Sequence, residues 1–175
     1  MFCKIKKVFF VLIRGAIKQI DAFSPRLYMK LYNVYLKKNG IVLDGAPRYI
    51  HPSVKFDGKG YKKTFLGKDV VISRDSLLLN HDYSIACGFR SIGENVEHEA
   101  YWLKEIRVGK NTFVGANVSI LPGTIIGENC IIGTGAVIKG FIPDDSIVIG
   151  NPAKIVGHTQ EWAQRKKEEK DYFFE

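Results

Sequence analysis

No two cysteines in this sequence stand at CxxC spacing, and the three present, Cys3, Cys87 and Cys130, form an odd set. That pattern argues against a disulfide framework or a zinc knuckle and points to a reducing compartment. Long apolar runs are missing as well. The longest near the start, "VFFVLI", has six residues, whereas a helical span of a bilayer needs about 20. A secretory signal fits poorly, because Arg14 interrupts the apolar stretch and no convincing small-residue cleavage site follows. The main body also lacks any surplus of positive charge. Residues 41–175 hold 17 basic and 17 acidic side chains, so the electrostatic mark of nucleic-acid binding is absent there. The whole excess of +8 lies in residues 1–40, where nine Lys and Arg face one acid, Asp21.

What is abundant is a six-residue beat. The second half reads VGKNTF, VGANVS, ILPGTI, IGENCI, IGTGAV, IKGFIP, led by Val108, Val114, Ile120, Ile126, Ile132 and Ile138. Upstream, LGKDVV, ISRDSL and LLNHDY repeat it from Leu66, Ile72 and Leu78, in phase with the later array. A weaker pair, IHPSVK and FDGKGY from Ile50 and Phe56, is offset. Neither the 3.6-residue period of a helix nor the period of 2 of a simple strand explains this. A short strand followed by a tight turn does, with each leading aliphatic pointing inward and three units closing an 18-residue triangular coil. Gly and Asn suit the corners, where positive φ is needed. A β-sandwich would place its strands every 8 to 12 residues, so the repeat predicts an all-β parallel β-helix.

The ends follow other rules. Phe2, Ile5, Phe9, Leu12, Ile13, Ala16 and Ile20 fall on one helical face, with Lys4, Lys7, Arg14 and Lys18 opposite. A second helix is expected over roughly Pro25 to Lys38, stopped by Asn39-Gly40, and a charged helix near the C-terminus with Thr159 as its N-cap. The expected division is a basic helical segment over 1–48, a β-helix over 49–157 and a C-terminal helix over 158–175. The beat is lost over residues 83–107, which project as an excursion loop.

The hexads, the run "VGKNTFVGANVSILPGTIIGENCIIGTGAVI" and the closing "IGNPAKIVG" resemble the hexapeptide-repeat acyltransferases, and within them the acetyltransferases of sugars and polysaccharides. The resemblance covers residues 50–157 and is most specific over 108–157. It implies a left-handed β-helix, a homotrimer, acetyl-CoA lying between neighbouring β-helices, and a catalytic histidine just before the excursion. His81 stands there. A histidine with a pKa near neutrality is suited to take the proton from an attacking hydroxyl and return it to the departing CoA sulfur, with no covalent enzyme intermediate.

Asp82 is a candidate to orient that imidazole or bind the acceptor, and a solvated turn aspartate accounts for it equally well. Asn80 is a candidate acceptor contact, although Asn at a coil corner needs no further reason. Tyr101 and Trp102, on the excursion, are placed to stack on a sugar ring or to anchor the loop. For acetyl-CoA the resemblance implies backbone contacts at Gly115, Ala116, Thr134 and Gly135, and phosphate contacts from Lys139 and Lys154. The sequence departs from many relatives in having Phe113 where they carry Trp. His51, His98 and His158 are scattered and do not match the ligand set of the related γ-class carbonic anhydrases, so no metal is expected.

The function implied is acetyl-CoA-dependent O-acetylation of a sugar hydroxyl in polysaccharide or glycan assembly. Other small acceptors (serine, an antibiotic hydroxyl, an amino sugar) stay open, as does a non-catalytic β-helix scaffold. The expected location is cytoplasmic. The basic helix over residues 1–20 has three readings: a cap on the open end of the β-helix, a contact with an anionic membrane surface, or a dock for a glycan-assembly partner.

Overall fold

The computed structural model describes residues 2–95, 97–170 and 172–174, with side chains from residue 11 onward. Three parallel sheets run the length of the molecule. The first stacks Val42–Asp44, Thr64–Gly67, Ile106–Val108, Ile125–Ile126 and Phe141–Ile142; the second Tyr49–Ile50, Val71–Ile72, Phe113–Val114, Ile131–Ile132 and Ser146–Ile149; the third Lys55–Phe56, Leu77–Leu78, Ser119–Ile120 and Val137–Ile138. Consecutive strands go to successive sheets, so the chain winds as a triangular coil.

Register explains why a period of six gives this shape. Leu43, Leu66, Val108, Ile126 and Ile142 lie directly above one another in the first sheet. Ile50, Ile72, Val114, Ile132 and Val148 do so in the second, and Phe56, Leu78, Ile120 and Ile138 in the third. The leading aliphatics of every intact hexad, from Leu66 to Ile138, are no more than 2% exposed. Between strands the chain turns by left-handed residues: Asp69, Asn111, Asn129 and Asp145 have φ of 53–58°, and the neighbouring corner stacks Asp75, Asn117 and Gly135. Asp and Asn tolerate that region better than other non-glycine residues.

Three expectations are adjusted. The coil begins at Val42, inside the segment assigned to helices, because "IVLD" is too short to show a repeat. The offset of Ile50 and Phe56 is a one-turn insertion, Tyr61–Lys63, that lengthens the corner before Leu66. The excursion ends before Ile106, whose buried side chain already belongs to a coil strand with Arg107 and Val108.

The helical segment closes the open end of the coil. Helix α1 spans Phe2–Gln19 and α2 spans Pro25–Lys38, with Ser24 as N-cap and Asn39-Gly40 as the stop. On α2, Tyr28, Tyr32 and Leu36 are fully buried. The Tyr28 hydroxyl donates to Ile50 O at 2.7 Å, and Met29 Sδ accepts from Ile50 N at 3.3 Å. Both backbone groups of Ile50, in the edge strand of the second sheet, are thereby met, as an otherwise uncovered edge requires. The inward side chains are Ile13 and Ile17 on α1 and Ile20 in the single turn that follows it. Leu12, expected on that face, is 66% exposed, and Ala16 is exposed with it. The expectations for Phe2, Lys4, Ile5, Lys7 and Phe9 lie outside the described side chains. No helix among the described residues is long and apolar enough to cross a membrane.

At the other end, Lys154–His158 adds an antiparallel strand to Ser146–Ile149, and α3 over Ser84–Ser91 and α4 over Thr159–Glu169 complete the helices. Thr159 is the first residue of α4, not its cap. His158 is still extended, and the Thr159 amide donates to Asp145 O at 2.8 Å.

Removing the Tyr28 hydroxyl leaves the Ile50 carbonyl buried without that donor. Tyr28→Phe is expected to lower unfolding free energy by about 1–2 kcal/mol in urea titration, with an unchanged m-value.

Candidate functional site

Where the coil breaks, the chain forms a two-rung antiparallel ribbon: His81 pairs with Leu103 and Asp82 with Trp102. Successive strand residues point to opposite sides, so this ribbon sorts the candidate side chains. His81, Tyr83 and Tyr101 gather on one side. Asp82, Trp102 and Lys104 line a cleft on the other, with Ser84, Leu121, Pro122 and Lys139.

On the first side the imidazole is held from beneath. Asp57, from the coil below, accepts from His81 Nδ1 and, through the same Oδ2, from the backbone amides of His81 at 2.9 Å and Asn80 at 3.1 Å. Its other oxygen accepts from Lys59 N at 3.1 Å. The Asp57 side chain is 4% exposed and the His81 side chain 23%. A buried carboxylate on Nδ1 fixes the tautomer and leaves Nε2 with its lone pair. The rings of Tyr83 and Tyr101 stand edge-on to the imidazole at centroid distances of 5.4 and 6.3 Å. Lys59 contacts the Tyr83 hydroxyl, and its ammonium lies 4.3 Å from the centre of the Tyr101 ring. Its pKa is raised, first by the hydrogen bond to Tyr83.

Asn80 is where the ribbon leaves the coil, and it is completely buried. Its Nδ2 donates to Lys63 O and to Lys104 O, both at 3.1 Å, and Oδ1 lies 3.0 Å from Thr64 Oγ1. The Asn80 carbonyl accepts from Lys104 N at 2.9 Å. Gly60 leaves the room it occupies, since a Cβ there would overlap the Asn80 side chain. With its amide saturated and solvent excluded, Asn80 has nothing to offer an acceptor. The expectation that it binds one is corrected: it pins both feet of the excursion to the scaffold.

Asp82 is corrected in part. The orienting position on Nδ1 belongs to Asp57. Asp82 Oδ1 accepts from Ser84 N at 2.8 Å, at the start of α3. That bond to the Ser84 backbone, then one to its side chain, then the charges of Lys139 and His81, hold its carboxyl below the usual range. Across the same cleft the Lys104 ammonium lies 4.5 Å from the Trp102 ring centre.

The model of the bacterial transferase hexapeptide (six repeats) matches residues 105–140. A putative acetyltransferase of Bacillus subtilis, YvoF, is 27% identical over 168 residues, covering 95% of this chain and 84% of that one. A probable acetyltransferase of Mycobacterium tuberculosis is 37% identical over 109 residues, 56% of this chain and 36% of that protein. The putative lipopolysaccharide biosynthesis O-acetyl transferase WbbJ of Escherichia coli is 30% identical over 94 residues, 52% and 48% of the two chains. The match thus spans about a third to a half of the latter two. The fold is similar to that of a maltose O-acetyltransferase from Clostridium difficile, with a TM-score of 0.55, 16% identity, and coverage of 86% and 88%. The chain carries the transferase hexapeptide repeat over residues 105–140 and is similar in sequence to acetyltransferases that share it.

The cofactor candidates fall into separate groups. Gly115 is needed by the coil itself, because a Cβ there would lie 2.7 Å from Thr134 N on the next turn. Gly135 N donates to Ala116 O at 2.9 Å, so these two share one stacked corner. Thr134 and Gly135 are exposed there, and Gly135, at φ +75°, has open space where a Cβ would sit. Lys139 lines the Asp82 cleft, whereas Lys154 is exposed on the closing antiparallel strand of the second sheet. Among the described residues no group of three or more His, Cys, Asp or Glu side chains is arranged to hold a metal. His51 instead bonds Ser53 Oγ at 2.8 Å.

Sequence reasoning missed Asp57, Lys59 and Tyr83. The signal for Asp57 was the pairing of Phe56 with Leu78, which brings the residue after Phe56 beneath the start of the break. The offset of that hexad hid it.

Asn80→Ala removes the three polar contacts made by this buried side chain. The expected loss is about 2–4 kcal/mol of stability, with faster amide exchange at His81 and Lys104 than in the third sheet.

Proposed function

We propose that this chain is an acetyl-CoA-dependent O-acetyltransferase acting on a sugar hydroxyl in polysaccharide or glycan assembly, with His81 as general base. The observation that carries the reading is the buried carboxylate of Asp57 on His81 Nδ1, which leaves Nε2 of a partly exposed imidazole as the proton acceptor. A lone surface histidine has no need of such a partner. Nε2 takes the hydroxyl proton as the oxygen attacks the thioester carbonyl. The C–S bond breaks, and the imidazolium returns that proton to the departing sulfur, so the products are an acetyl ester and CoA thiol. Asp57 acts through His81, holding its ring and favouring the imidazolium formed during transfer.

Support for the acceptor class comes from WbbJ, named for O-acetyl transfer in lipopolysaccharide biosynthesis. For acetyl-CoA, the stacked corner of Ala116, Thr134 and Gly135 offers exposed backbone, and Lys139 and Lys154 offer charge for phosphates. Trp102 and Tyr101 flank the base on opposite sides of the ribbon and are read as acceptor contacts. Asp82, beside Lys139, is read as lining the same acceptor route.

The wider architecture is read from the same kinship: a left-handed coil that begins at Val42, behind the helical segment and ahead of the C-terminal helix, assembled as a homotrimer in the cytoplasm. Outward-facing Ile125 and Phe141, paired on the first sheet, are 37% and 68% exposed, and Phe113 on the second is 43% exposed, apolar side chains that neighbouring copies would cover. On the helical segment, exposed Leu12, Phe23, Leu27, Leu31 and Val34 lie among Arg26, Lys30, Lys37 and Lys38, which fits a peripheral contact with anionic lipid.

The test is CoA-thiol release from acetyl-CoA with a panel of sugar acceptors. His81→Ala is expected to lower turnover by ~10²–10⁴-fold and Asp57→Asn by at least ~10²-fold, while Asp82→Asn costs less than ~10-fold. A folded His81→Ala protein with full turnover overturns the assignment. In liposome flotation with anionic vesicles, removal of residues 1–20 together with Leu27→Glu and Leu31→Glu is expected to abolish binding. Equal flotation of wild type and variant rejects the membrane contact.

A further inference from the structure

A second cavity opens on the side of Asp57 that faces the helices. It is lined by Arg14 of α1, Tyr35 and Asn39 of α2, and Asp57, Lys59 and Tyr61 of the first coil. Two of these six are cations, drawn from parts of the chain far apart in sequence. No carboxylate among the described residues is recorded within ion-pair distance of either. The only acidic group in the wall is Asp57, and its two oxygens are occupied by His81 Nδ1 and three backbone amides. It therefore turns toward the imidazole and forms no ion pair with either cation of the cavity, although its charge helps hold the Lys59 pKa up. Tyr35 and Tyr61 are hydrogen-bonded to one another, which fixes the wall between them.

Lys59 links this cavity to the base. Its ammonium sits 4.8 and 4.3 Å from the ring centres of Tyr83 and Tyr101. The same two rings stand edge-on to His81. The lysine head and the imidazole thus flank one pair of aromatic rings, a separation that a single monosaccharide with an anionic substituent spans. Aromatic faces give a sugar ring apolar contact while the ammonium and guanidinium meet a negative group.

We propose that Arg14 and Lys59 form an anion subsite for the acceptor, so that the preferred substrate is a sugar carrying a carboxylate or a phosphate close to the hydroxyl presented to His81. This rests on the acetyltransferase reading and narrows its substrate class. It also gives the N-terminal helix a role in specificity: α1 supplies one of the two charges.

The experiment compares glucose, glucuronate and glucose 6-phosphate as acceptors for wild type, Lys59→Met, Lys59→Arg and Arg14→Gln, at constant ionic strength. The charged sugars are expected to have kcat/KM at least about 10-fold above glucose in wild type, and that ratio to fall about 10-fold in Lys59→Met and Arg14→Gln through KM, with Lys59→Arg restoring most of it. The arms separate the sources of charge, since glucuronate favoured alone assigns a carboxylate and glucose 6-phosphate favoured alone a phosphate. Equal use of all three sugars, or a ratio unchanged by both substitutions, overturns the subsite. Calorimetric titration with the same sugars decides it without turnover. Charged sugars that bind wild type and lose affinity in the two variants uphold the subsite even if no acetyl transfer occurs, an outcome that sinks only the acetyltransferase reading. Binding that ignores charge or substitution overturns it.

Discussion

Everything in this molecule depends on inward aliphatics meeting their own kind one coil away. Leu66, Val108 and Ile126 stack in register, as do Ile72, Val114 and Ile132, and each is essentially sealed from water. Burial of a Val, Leu or Ile side chain contributes roughly 1.5–3 kcal/mol, and here every hexad makes the same contribution to a single column. The cost of the design is tightness. Gly67, Gly109 and Gly115 cannot accept a Cβ because the backbone of the next coil lies against them. A scaffold so closely packed has smooth flanks, and chemistry has to come from whatever leaves it.

The excursion is the departure, and the physical problem it poses is anchorage. A loop of more than twenty residues would place an imidazole poorly if its feet were free. Three features remove that freedom. Asn80 ties both feet to Lys63 and to each other, the short ribbon pairs His81 with Leu103, and Asp57 reaches up from the coil below to take the imidazole. His81 is on the excursion by sequence and on the scaffold by its contacts.

The fold was legible because a repeat is a long-range fact written locally: each hexad says the same thing, so one misread unit changes nothing. The helices were legible for a similar reason, with Ser24-Pro25 and Asn39-Gly40 marking the ends of α2. His81 stood out by its place at the break. Its partner did not, because Asp57 lies 24 residues earlier in a hexad displaced by the Tyr61–Lys63 turn, and pairing across coils depends on a register the displacement conceals. Asn80 was misjudged for a different reason. A corner asparagine and a buried keystone have the same letter, and only the carbonyls of Lys63 and Lys104 around it tell them apart.

The two sides of the ribbon show how a two-residue period divides labour. On one side a carboxylate, an imidazole and two phenol rings form a chain of contacts that ends at the Lys59 ammonium. On the other, Asp82 is held ionised by the Ser84 amide and Lys139, beside Trp102 and Lys104. Alternation keeps Asp82 on the far side of the ribbon, beside Lys139. The pleat of four residues thus separates the imidazole held by Asp57 from the carboxyl that stays charged beside Lys139, and it does so without any other device than the geometry of an extended chain.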